Sequence, residues 1–138
     1  MEYKGIDLTE NHFVMLADNP PRPTGKDDTP SGTKGDVIFQ PRVLNVVDRD
    51  EVTTRNGRLK LLNSGQQGSL DTCRSETRYS KSIRLDQLGE GAQFCVLSDA
   101  GHIAVATYRG KSGGNDRSKY ISLDLTVWRN AEDPKKQG

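Results

Sequence analysis

The sequence has no long apolar run, almost no net charge and no sustained helical periodicity. No stretch approaches the ~20 apolar residues that a membrane-spanning helix needs, so insertion of this segment into a bilayer is not expected. Twenty basic residues against nineteen acidic ones leave a formal charge of +1. Such a chain carries no long-range field to attract polyanions, and nucleic acid is not an expected partner. Met1–Lys4 lacks the apolar core of a signal peptide. Either the protein works in the cytosol or its leader or anchor lies outside this segment. Cysteine occurs only twice, at Cys73 and Cys95.

Apolar residues, 32% of the chain, gather in Val37–Phe39, Leu59–Leu62, Phe94–Leu97, Ile103–Tyr108 and Ile121–Trp128. Their period is two. In YISLDLTVW (120–128), Ile121, Leu123, Leu125 and Val127 share one face, which marks a half-buried strand. HIAVATY (102–108) reads the same way, with Ile103 and Val105 expected inward. QFCVL (93–97), joined to it by Ser98-Asp99-Ala100-Gly101, predicts a hairpin over 93–108. EVTTR and RLKLL flank Asn56-Gly57, a strong type I′ turn signal, and predict a second hairpin. Further strands are expected near 12–16, 37–40, 43–47 and 80–85. Helix is limited to single turns at 69–77, capped by Ser69 or Asp71, and at 85–91.

These elements predict an all-β fold, an antiparallel β-sandwich of jelly-roll-like or Ig-like type with about eight short strands and little helix. One sandwich domain is expected over 1–129, with 17–35 as a long exposed loop and 130–138 as a disordered tail.

Two cysteines and two distant histidines, His12 and His102, do not supply the clustered ligands of a zinc site. Twenty-one residues separate the cysteines, which excludes a Cys-x-x-Cys redox motif. A thiolate nucleophile at Cys95 would sit in an apolar strand, where its charge is costly. Two readings stay open: a pair of buried free thiols, or a disulfide. The bridge is favoured by the even count in a β-rich chain. It would close a loop of about 22 residues, contribute roughly 3 kcal/mol and suit an oxidising compartment.

Catalytic motifs are missing. Gly110-Lys111-Ser112 ends like a phosphate-binding loop, but position 105 is Val where that loop needs Gly. No Gly-x-Ser-x-Gly elbow occurs, and nothing singles out a carboxylate pair. No enzyme is expected. Asp18, Asp27, Asp28 and Asp36 offer oxygens to calcium in the 17–36 loop. They lack the Asp-x-Asp-x-Asp-Gly spacing, so a solvated acidic loop is expected there and no cofactor. The 109–119 loop is the most basic part of the chain. Arg109, Lys111, Arg117 and Lys119, with Tyr108 and Tyr120 expected to meet at the base of the loop, form the candidate ligand-binding set.

The segments GIDLT, MLADNPPRP, GDVIF, LDTCRSETRY, FCVLSDAGHIAVAT and YISLDLTVW together resemble C-terminal β-rich modules of uncharacterised actinobacterial proteins. The likeness covers about residues 5–129. Its most specific pieces are Cys73-x4-Arg78-Tyr79, Cys95-Val96 and Gly101-His102-Ile103-Ala104. It implies a module carried outside the cell behind a single membrane helix, often after an intracellular regulatory part, with both cysteines inside the pattern. It implies no activity and no ligand. The expected role is a non-enzymatic extracytoplasmic recognition or sensor module for an envelope carbohydrate, an anion or a protein ligand. The alternative is an assembly domain that pairs with a protein partner through an edge strand.

Overall fold

A computed structural model describes residues 2–9, 12–18, 21–25, 35–40, 50–63, 66, 68–75, 79–111 and 120–131. Ten strands occur among the described residues: β1 (Glu2–Thr9), β2 (His12–Val14), β3 (Thr24–Gly25), β4 (Val37–Gln40), β5 (Glu51–Thr53), β6 (Gly57–Leu61), β7 (Ser82–Arg84), β8 (Gln93–Ser98), β9 (Ile103–Lys111) and β10 (Tyr120–Trp128). One helix, α1 (Leu70–Ser75), and one 3-10 turn, Leu85–Gln87, accompany them. The strands form two five-stranded antiparallel sheets, ordered β1-β10-β9-β8-β6 and β3-β2-β4-β5-β7. The fold is an antiparallel β-sandwich.

The core lies between the sheets. Leu8, Leu59, Phe94, Val96, Leu123 and Leu125 from the first sheet meet Val14, Val37, Phe39, Val52 and Ile83 from the second. Along β10 every second residue is buried and the intervening ones are half-buried. The alternation of the sequence thus reappears as geometry, because successive strand side chains point to opposite faces. Full burial of each such aliphatic side chain contributes about 1.5–3 kcal/mol.

A second, smaller core sits outside the first sheet. Leu62, Cys73, Cys95, Leu97, Ile103 and Val105 are buried there, with Leu70, Tyr79 and Trp128 at its rim. β8 and β9 are therefore covered on both faces, by the second sheet on one side and by α1 on the other. This corrects the expected orientation of β9. Ile103 and Val105 face α1, whereas Ala104, Ala106 and Tyr108 line the core between the sheets. A doubly buried strand has no polar side to mark which face turns outward.

The 93–108 hairpin forms as expected, with Cys95 opposite Val105 and Leu97 opposite Ile103. The hairpin expected at Asn56-Gly57 does not. β5 belongs to the second sheet and β6 to the first, so the dipeptide is a corner between sheets. Arg55 and Asn56 donate their amides to the Gly35 carbonyl (2.8 and 3.2 Å), and Asn56 Oδ1 accepts the Gly35 amide at 2.7 Å. Gly57 has no positive φ. Its hydrogen is needed instead because the Leu97 carbonyl occupies the place of a Cβ. Asn-Gly promotes a turn, but tertiary hydrogen bonds to Gly35 redirected this one.

β1 was not anticipated, since Lys4-Gly5 interrupts its alternation; it pairs with β10 through a bulge between Tyr3 and Ile6. β3 lies within the stretch expected to be all loop and pairs with β2. The strand expected at 43–47 and the 130–138 tail beyond Ala131 lie outside the described residues.

Candidate functional site

α1 has six residues, too few to be stable alone. Ser69 caps it: Thr72 donates its amide to Ser69 Oγ at 3.2 Å. A disulfide from Cys73 to Cys95 then ties it to the middle of β8, with the Cα atoms 5.6 Å apart and a sequence separation of 22. Tyr79 Oη donates to the Cys73 carbonyl at 3.2 Å. The disulfide points to an oxidising environment. No helix among the described residues is long and apolar enough to cross a membrane.

Among the described residues, the expected meeting of Tyr108 and Tyr120 at the base of the 109–119 loop does not occur. Tyr108 is 6% exposed and lies in the core between the sheets. It continues the face of Ala104 and Ala106, so its ring is closed to a ligand outside. Tyr120, half-buried at the start of β10 opposite Thr9, lies on the outer face with Ser122 and Asp124. The two rings therefore sit on opposite sides of the sheet rather than stacking at the base of the loop. Between Gly110 and Tyr108 the pairing with β10 slips by one residue, leaving Arg109 as the bulged position and Gly110 at φ 140°. Arg109 Nε contacts Asp124 Oδ2 at 2.7 Å. Asp124 also accepts the Gly5 amide at 2.9 Å. That hydrogen bond first, and the Arg109 contact second, hold its carboxyl below the usual carboxylate range. Lys111 is exposed at the end of β9. Arg117 and Lys119 lie outside the described residues.

Of the carboxylates weighed for calcium, Asp27 and Asp28 lie outside the described residues. Asp18 is exposed and Asp36 is buried, its Oδ2 accepting the Leu16 amide at 2.8 Å. Among the described residues no group of three His, Cys, Asp or Glu side chains is placed to hold a metal ion.

A concavity among the described residues lies elsewhere. β6 is an edge strand of the first sheet and β7 an edge strand of the second. A depression of about 430 Å³ runs beside the end of β6, lined by Leu61, Asn63, Gln66, Gln87, Glu90 and Gln93 among others. A smaller one of about 280 Å³ shares Leu61 and Gln87 and continues past Tyr79, Ser80 and Ser82. The backbone of β6 contributes too. Leu59 exchanges both hydrogen bonds with Ser80 (2.8 and 2.7 Å), and Leu62 donates to Gln93 at 3.0 Å. By the alternation of an antiparallel ladder, the Leu61 amide and carbonyl point away from β8 into the groove.

Three groove amides serve the scaffold, among them Gln87, whose Oε1 accepts the Arg84 amide at 3.4 Å and whose Nε2 stays available to the groove. Gln93 Oε1 accepts the Gly68 amide at 3.1 Å and its Nε2 donates to Thr107 Oγ1 at 3.2 Å. Gln66 Oε1 accepts the Asn63 amide at 2.9 Å. Asn63, Gln87 and Glu90 are exposed and offer amide and carboxylate groups to the groove. No motif in the sequence announced this set. Its only local signal was an apolar run, Leu59–Leu62, ending at Asn63, and the Gly89-Glu90-Gly91 turn that faces it across the fold.

A scan against protein-family models, a search of curated proteins and a search of solved structures each find no match to this chain.

Proposed function

We propose that the protein is a non-enzymatic recognition domain working outside the cytoplasm, and that it binds a neutral stretch of envelope glycan in the groove beside β6. The observation that carries this reading is the groove itself, where Asn63, Gln87 and Glu90 stand around the apolar Leu61. Side-chain amides and a carboxylate supply both donors and acceptors to sugar hydroxyls, while an aliphatic floor suits the C–H faces of the rings. The disulfide supports the oxidising address and stiffens the sheet that forms one wall. The resemblance to modules carried outside the cell agrees with it.

Affinity electrophoresis through gels containing purified envelope polysaccharide tests the reading. Retardation of the native protein, abolished in Asn63→Ala and Gln87→Ala but kept in Arg109→Ala, is the expected result. Equal mobility with and without polysaccharide overturns it.

One observation favours a second reading. The Leu61 backbone groups that face the groove are a template for an added strand, so an assembly role through the edge of β6 is the alternative. A mass that rises with concentration in sedimentation equilibrium, without glycan retardation, supports that role.

A further inference from the structure

The open edge of β6 beside the groove is one residue long. Leu59 exchanges both of its outward hydrogen bonds with Ser80, at 2.8 and 2.7 Å. At the other end the Asn63 amide donates to Gln66 Oε1 at 2.9 Å. Between them Leu61 pairs with Phe94 at a position where the β6–β8 ladder makes no bond, while Leu62 donates to the Gln93 carbonyl. The Leu61 amide and carbonyl therefore face the groove. Among the described residues neither has a hydrogen-bond partner there. An added strand pairs at several successive positions, and this edge offers it one. The edge suits a single polar substituent better than a peptide chain.

Three features meet at that point. The Leu61 amide is a donor that calls for an acceptor. The Glu90 carboxylate, on the turn before β8, accepts only and calls for a donor. Leu61, Leu62 and Ala92 line the same depression with apolar surface. A sugar hydroxyl can serve one of the two polar groups and leaves the apolar surface uncovered. A trans secondary amide points its C=O and N–H in opposite directions, so it can accept from Leu61 and donate toward Glu90 at once. The methyl of an acetamido group then covers Leu61 and Ala92. The Leu61 carbonyl and Gln87 Nε2 are left for hydroxyls of the same ring. The depression, about 430 Å³, is of the size of small-molecule sites.

We propose that the groove selects glycans built from N-acetylated amino sugars, reading the acetamido group through the Leu61 amide. This inference rests on the glycan reading above and adds the class of sugar to it.

Affinity electrophoresis of the full chain tests it with one envelope polysaccharide in three forms: native, N-deacetylated with alkali, and re-N-acetylated with acetic anhydride. Retardation is expected to weaken about tenfold in the second form, the loss of one net amide hydrogen bond, and to return in the third. Backbone-amide NMR supplies a second readout. The tetramer of N-acetylglucosamine is expected to shift the Leu61 amide, and the tetramer of glucose, with a hydroxyl in place of each acetamido group, is expected to leave it unmoved. Equal retardation by the native and deacetylated forms overturns the acetamido inference and leaves the glycan reading standing. A Leu61 amide that responds equally to both tetramers, or to neither, does the same. No retardation by any form overturns both. A Leu61 shift that follows protein concentration instead of glycan marks a paired copy at this edge and also overturns the inference.

Discussion

Cys73, on a single turn of helix, is bonded to Cys95 in the centre of a strand covered on both faces, and neither sulfur is exposed to solvent. The bond joins the smaller core to the sheet it covers. Reduction, or Cys73→Ser with Cys95→Ser, is expected to lower stability by about 3 kcal/mol. Urea unfolding with and without reductant reads the change. Because α1 is too short to persist alone, fluorescence of Trp128, at the rim of that core, should also shift to longer wavelength before the main transition.

Tyr108 and Arg109 are neighbours with opposite surroundings. Tyr108→Ala removes a buried ring and is expected to cost about 3–5 kcal/mol. Arg109→Ala breaks an exposed ion pair with Asp124 and is expected to cost under about 1 kcal/mol. Chemical denaturation of the two variants distinguishes a core tyrosine from a surface one.

Gly57 lies where the Leu97 carbonyl leaves no room for a side chain. Gly57→Ala must push β6 away from β8 and is expected to lose about 1–3 kcal/mol. Asn56→Ala removes the acceptor for the Gly35 amide and is expected to lose about 1–2 kcal/mol. Thermal unfolding of both variants checks the corner.

The pH dependence of global stability has two parts of opposite sign. Asp36 holds its proton more tightly in the fold, with a pKa of about 6 against the ordinary 3.8. Its stabilising contribution is complete below pH 3.8 and is lost as pH rises through 6, a change of up to about 3 kcal/mol. Asp124 is depressed in the fold. Its contribution is present above the ordinary carboxylate value and is lost as pH falls through its folded pKa. Urea midpoints should therefore decline between pH 4 and pH 7 in the native protein, and Asp36→Asn should remove that decline. Asp124→Asn should leave it and soften the loss below pH 4.

Much of the architecture was legible in the chain because strand alternation is a local property. Ile121, Leu123, Leu125 and Val127 could face a core only if the segment was extended, and Ser98–Gly101 could close only a short connection. Of the two caps the sequence offered for α1, Ser69 and Asp71, it is Ser69 that accepts the Thr72 amide. The groove beside β6 was not legible: Asn63 and Glu90 are ordinary polar residues in loops, and only the packing of two edge strands sets them around one cavity.

Sequence by itself determined that this chain folds as extended segments with an apolar side, because side-chain direction along a strand follows from covalent geometry. Tertiary structure alone decided which side faces which core, why Asn56-Gly57 turns between sheets instead of within one, and where Asp36 is buried. Those choices depend on partners distant in the chain, such as Gly35 for Asn56 and Leu16 for Asp36, whose hydrogen bonds exist only once the sheets have closed.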